Sequence, residues 1–65
     1  MRIEVNGEGV ETKARDLAAL CEELGFRDAR IATALNGEFV PSALRAEAAL
    51  DEGDAVEIVA PRQGG

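Results

Sequence analysis

The chain has 65 residues, 46% of them apolar and 31% charged, and its 13 acidic against 7 basic side chains give a formal charge of −6. A chain this short makes one small domain that buries only about 60% of its unfolded surface, which leaves no room for a deep cleft beside a core. Its acidic balance repels phosphate backbones and anionic lipid, so neither nucleic-acid nor membrane-surface binding is expected, whereas docking on basic surfaces of other proteins (or plain solubility) suits it.

In chain order, "RIEV" alternates, with Ile3 and Val5 on one face and Arg2 and Glu4 on the other, as in a strand. Asn6-Gly7 follows, and Asn-Gly between apolar runs is a hairpin signal because both turn positions need positive φ. "GVET" returns as a short edge strand. "RDLAALCEELGF" predicts a helix: Asp16 is a suitable N-cap, and Leu17, Leu20, Cys21 and Leu24 make one apolar stripe. Gly25 suits the left-handed position just past a helix end, and Phe26 the apolar contact that often follows it.

"RIATALNGEFVP" predicts a strand, a second Asn-Gly turn and a short strand closed by Pro41. Ile31, Thr33 and Leu35 share one side of it, Ala32 and Ala34 the other. The triplet Asn-Gly-Glu thus occurs twice, as reused turn chemistry, since the segments after it differ. "SALRAEAAL" fits either a helical turn or a tethered loop, with Leu44 and Leu50 pointing in. "DEGD" is a turn, and "AVEIV" a final strand with Val56 and Ile58 inward and Ala55, Glu57 and Val59 outward. One helix across one face of a mixed sheet of four to five strands buries this single apolar set, so an α+β fold is expected. Residues 1–60 form the domain in this reading, and 61–65 an extended, flexible Gly-Gly tail.

Catalytic and metal chemistry find little support. The sequence has no His, the usual general base near neutral pH, and its single Cys excludes both an internal disulfide and a thiolate metal cluster. Cys21 lies on the apolar stripe and reads as a core thiol. Asp51, Glu52 and Asp54 lack calcium-loop spacing, and Gly7 and Gly9 lack the third glycine of a phosphate loop. One free cysteine, no signal-peptide core and no apolar run near roughly 18 residues make the cytoplasm the expected location.

What remains is the end, "VAPRQGG". Two readings stand: a frayed terminus, or a carboxylate that enters another protein's active site. Pro61 to Gly65, if extended, reach on the order of 16 Å, and Gly64 and Gly65 lack the side chains that would block a narrow channel. Arg62 is either an ordinary exposed arginine or a partner for an acidic groove.

"NGE" at 6–8, "DLAALCEELG", "ALNGEFVP" at 34–41 and "LDEGDAVEIVAPRQGG" at 50–65 together resemble the ubiquitin-like β-grasp sulfur carriers, most closely the ThiS family of the thiamine pathway. The resemblance implies a β-grasp fold whose first and last strands run parallel at the sheet centre. It implies that an ATP-using, ubiquitin-activating-like adenylyltransferase adenylates the Gly65 carboxylate, and that a cysteine desulfurase persulfide converts it to a thiocarboxylate. Thiazole synthase then takes the sulfur for the thiazole ring of thiamine. The chain would be a protein cosubstrate rather than an enzyme, monomeric when free, binding no cofactor itself, with ATP used by the activating enzyme. Gly64, Gln63 and Arg62 would enter the partner's site with Gly65. Arg62 departs from the family's common tail, where an apolar residue is expected. Ala32, Ala34 and Val59, ringed by Arg2, Glu4 and Glu57, are either a face for partners or ordinary exposed apolar residues. Three alternatives share these residues: sulfur delivery to the molybdenum cofactor, tRNA or cysteine synthesis; a modifier joined to lysines through Gly65; and a binding module in which the glycines are incidental.

Overall fold

The structure, a computed structural model, describes residues 1–26 and 30–60. The anticipated tail at 61–65 lies outside them. Strands β1 (Arg2–Val5) and β2 (Glu8–Glu11) form a hairpin, followed by helix α1 (Leu17–Glu23), strands β3 (Ala32–Leu35) and β4 (Glu38–Val40), a 3-10 helix (Ser42–Glu47) and strand β5 (Ala55–Val59). The sheet order is β2-β1-β5-β3-β4. β5 lies in the middle, parallel to β1 and antiparallel to β3. This is the β-grasp arrangement, with the first and last strands side by side at the centre.

Both Asn-Gly pairs form the tight corners expected of them. Asn6 and Gly7 have φ of 52° and 85°, Asn36 and Gly37 of 51° and 86°, the left-handed values a two-residue hairpin turn demands. These corners set the register, pairing Val5 with Glu8 and Leu35 with Glu38.

The helix begins and ends where its residues dictate. Asp16 is its N-cap, its carboxylate accepting the Ala19 N–H at 2.8 Å. At the other end Gly25 (φ 92°) donates to the Glu22 carbonyl at 3.1 Å and Phe26 to the Cys21 carbonyl at 2.8 Å, the paired bonds of a Schellman motif. Leu24 is therefore the C-cap, and it is exposed rather than continuing the apolar stripe. Phe26 packs against the core in its place.

Leu17, Leu20 and Cys21 pack on Ile3, Val56 and Ile58 from the sheet's inner face, with Ala14 and Leu50 closing the sides. Leu50 points in, as expected. It is held there by a short bridge to the chain before the helix: Leu50 N–H donates to the Arg15 carbonyl at 2.9 Å and Leu17 N–H to Ala48 at 3.0 Å. Leu44 does not point in; it is half exposed. A 3-10 helix turns once in three residues, so Ser42, Arg45 and Ala48 share one side while Leu44 shares the other with Glu47. The side turned to β3 carries Arg45, whose guanidinium donates to Thr33 Oγ1 at 3.0 Å and to the Ile31 carbonyl at 2.7 Å. Thr33, 1% exposed, donates its own hydroxyl to the Val40 carbonyl at 2.8 Å. A buried hydroxyl and an arginine therefore join β3, β4 and the 3-10 helix, with the polar groups paired as burial requires.

Candidate docking surface

Register decides what the outer face of the sheet carries. Residues opposite one another on adjacent strands point the same way. Ala32 lies opposite Val59, and Ala34 lies between Glu57 on one side and Phe39 on the other. Ala32, Ala34 and Val59, singled out from sequence alternation, thus share one area, and Phe39 joins them. Phe39 and Val59 are 68% and 61% exposed, the two most exposed of the large apolar side chains among the described residues. An exposed aromatic ring thus lies beside a flat floor of two alanines, which makes this area the candidate docking surface.

The sequence held the signal for Phe39. A two-residue turn at Asn36-Gly37 forces Leu35 opposite Glu38, hence Ala34 opposite Phe39, so the ring must follow Ala34 outward.

The charged surround differs from the expected ring. Only Glu57 borders the patch directly, across from Ala34. Glu4 lies opposite Ala55, two residues back along β5. Arg2 is at the far end of the sheet, where its carbonyl accepts the Gly53 N–H at 2.9 Å and its guanidinium lies over Gly9, 4.0 Å from Glu11. The parallel pairing of β1 with β5 sets Glu4 and Val5 beside Ala55 and Val56, so Arg2 lies level with Gly53, before β5 begins and away from Val59. The outer face is therefore divided: charged over β1 and β2, apolar over the far end of β5 with β3 and β4.

Val59 ends β5 and only Ala60 follows it among the described residues, so the patch adjoins the point where the chain leaves the sheet. Arg62, Gln63, Gly64 and Gly65 lie outside the described residues.

The ends of β5 are held by an arrangement that turn chemistry alone did not predict. Left-handed φ at each Asn turns its backbone carbonyl away from β5, and the side-chain amide takes its place. Asn36 N–H donates to the Ala55 carbonyl at 2.7 Å while its Oδ1 accepts the Ala55 N–H at 2.9 Å. Asn6 N–H donates to the Val56 carbonyl at 2.9 Å, and its side chain reaches one rung further: Oδ1 accepts the Ile58 N–H at 2.9 Å and Nδ2 donates to the Ile58 carbonyl at 3.1 Å.

The other chemistry-bearing groups among the described residues are few. Cys21 is 5% exposed, and burial pushes its thiol above the ordinary 9.0, with the Arg45 charge opposing that more weakly. A raised thiol pKa makes a poor nucleophile. No group of three or more His, Cys, Asp or Glu side chains is placed to hold a metal among the described residues. No described helix is long and apolar enough to cross a membrane.

Known proteins share this arrangement. A crystal structure of a thiamine biosynthesis protein (ThiS) from Geobacter metallireducens matches over 100% of both chains, at 26% identity and a TM-score of 0.83. A solution NMR structure of a thiamine biosynthesis protein from the same organism matches all of this chain and 88% of its own, at 25% identity and a TM-score of 0.82. No curated protein matches the sequence. The family model described as the ThiS family covers residues 1–65, the described fold and the last residues alike, and the chain belongs to that family.

Proposed function

We propose that the protein is a sulfur carrier whose C-terminal Gly65 carries the sulfur for thiazole formation in thiamine biosynthesis. The observation that supports this most is the family match, which runs through Gly65 rather than stopping at the fold. The solved thiamine biosynthesis proteins of the same architecture support the destination.

In the proposed cycle a Gly65 carboxylate oxygen attacks the α-phosphorus of ATP in a ubiquitin-activating-like adenylyltransferase, and pyrophosphate leaves. The mixed anhydride makes the carbonyl carbon electrophilic. A cysteine desulfurase persulfide attacks that carbon through its terminal sulfur and displaces AMP. A second thiol then cleaves the acyl disulfide, reducing it and releasing the Gly65 thiocarboxylate. Thiazole synthase accepts the sulfur, and the carrier returns with a carboxylate for reloading. The chain contributes no catalytic group. Its contributions are a docking surface, formed by Ala32, Ala34, Phe39 and Val59, and a terminal segment, Arg62 to Gly65, narrow enough at Gly64 and Gly65 to enter the partner's site. The cytoplasm, where ATP and reduced thiols are available, is the proposed location.

Intact mass spectrometry tests the reading directly. Protein ending at Gly65 is incubated with ATP, the activating enzyme and a desulfurase with cysteine. The expected result is replacement of one oxygen by sulfur, localised to Gly65, and its complete loss when Gly65 is deleted. An unchanged mass, with an activating enzyme shown to be competent on another carrier, overturns the proposal. Covalent adducts with lysines of other proteins would instead identify a modifier.

A further inference from the structure

The far end of β5 is held differently on its two sides. Toward β3 it is paired through Val59, which faces Ala32. Toward β1, strand pairing stops at Val5 with Val56, because the chain turns away at Asn6 into its hairpin corner. Ile58, whose peptide groups face that side, has no further residue of β1 to pair with. Both of its backbone groups are taken by one side chain, the Asn6 amide, at 2.9 Å and 3.1 Å. The turn does not depend on either bond: a glycine at position 6 would keep the left-handed corner and lose both. Asn36 makes the matching contact at the opposite end of the strand, at Ala55.

We infer that Asn6 is a positioning residue for delivery of the C-terminus: its amide orders the last rung of β5, where the chain departs toward Gly65. This rests on the carrier reading above. Residues that fray must be ordered again each time the terminus is seated in a partner's site, and that ordering is an entropic penalty on productive binding. Asn6 removes the penalty in advance for Ile58 and Val59. Asn36, holding the other end of the strand, does not.

The two corners supply their own control. Asn6→Gly and Asn36→Gly each keep a residue that accepts φ near +50° and each delete one amide. Carrier-dependent pyrophosphate release by the activating enzyme is measured at a temperature where circular dichroism shows every variant folded. Asn6→Gly is expected to lower kcat/KM about tenfold, the scale of re-ordering roughly one residue, while Asn36→Gly stays within about twofold of the parent. Asn6→Asp keeps the acceptor for the Ile58 N–H and loses the donor, so it is expected to fall between Asn6→Gly and the parent. Amide hydrogen exchange is expected to accelerate at Ile58 in Asn6→Gly and to remain slow there in Asn36→Gly. Equal losses from both glycine variants, or an Asn6→Gly variant within about twofold of the parent, overturn the inference. Should Asn6→Gly not fold, Asn6→Asp against Asn36→Asp decides the same question. Failure of the parent protein to release pyrophosphate overturns the carrier reading itself, and this inference with it.

Discussion

Strand β5 serves two surfaces at once, and they follow different rules. Its inward residues, Val56 and Ile58, are 1% and 5% exposed and meet Ile3, Leu17 and Leu20. Its outward residues, Glu57 and Val59, sit beside Ala34 and Ala32 in the open. On the inner face every side chain answers to volume, because a domain of this size has little stability to spare. On the outer face volume is unconstrained, and an aromatic ring and a valine stay exposed among the described residues. The comparison separates what keeps the protein folded from what it presents to others, and it can be tested by damaging one face at a time.

The largest effect is expected on the inner face. Leu20 is fully buried between helix and sheet. Leu20→Ala removes its contacts and leaves a cavity, so urea unfolding should show a loss of about 2–5 kcal/mol. The molecules that remain folded should be adenylated at the parent rate, since no outward residue has changed. A loss below about 1 kcal/mol would mean that the core repacks freely and that the inner face is less constrained than its burial indicates.

Damage to the outer face should reverse that pattern. Ala34 is flanked by Phe39 and Glu57 at the middle of the apolar patch. Ala34→Arg places a long charged side chain over the flat floor, where Glu57 can pair with it, and stability should stay within about 0.5 kcal/mol of the parent. Adenylation should slow about tenfold, a transition-state loss of about 1.4 kcal/mol. An unchanged rate removes this face from the account and leaves the terminus as the whole recognition element.

Much of both faces was legible in the sequence, and the exceptions are of two kinds. Alternation in "AVEIV" gave the correct inward and outward sets, and Asp16, Gly25 and the two Asn-Gly pairs marked their own corners because each signal is local. The first kind depends on partners distant in sequence. Leu44 misses its expected inward place because a 3-10 turn, rather than apolarity, decides which side faces β3, and Arg45 is the residue that reaches Thr33, twelve residues away. Asn6 gives no sign in sequence that its amide will close a rung on Ile58, 52 residues on. The second kind is local: Leu24 kept the helical period but fell where Gly25 ends the helix, so geometry overrode the stripe. Phe39 was within reach of the turn rule and needed only the register to be carried one residue further.

The smallest expected effect lies on the inner side, at Cys21. Its thiol is buried under the helix, and burial raises its pKa above the ordinary 9.0. In the unfolded chain the thiol ionises near that ordinary value, whereas the folded state holds it neutral to higher pH. The group's contribution is therefore fully present below pH 9.0 and is lost as pH rises through the raised folded value, because the unfolded state gains stability by ionising first. Cys21→Ala costs cavity energy that does not depend on pH, so the stability difference between parent and variant should be largest near neutrality and shrink above pH 9. The sequence contains no Tyr and a single Lys, which keeps the alkaline titration simple. Urea unfolding of both proteins at pH 7 and pH 10 measures the change, with the smaller difference expected at pH 10. A difference that stays constant with pH would mean that the thiolate is tolerated in the fold, with the Arg45 guanidinium beside it supplying the compensating charge.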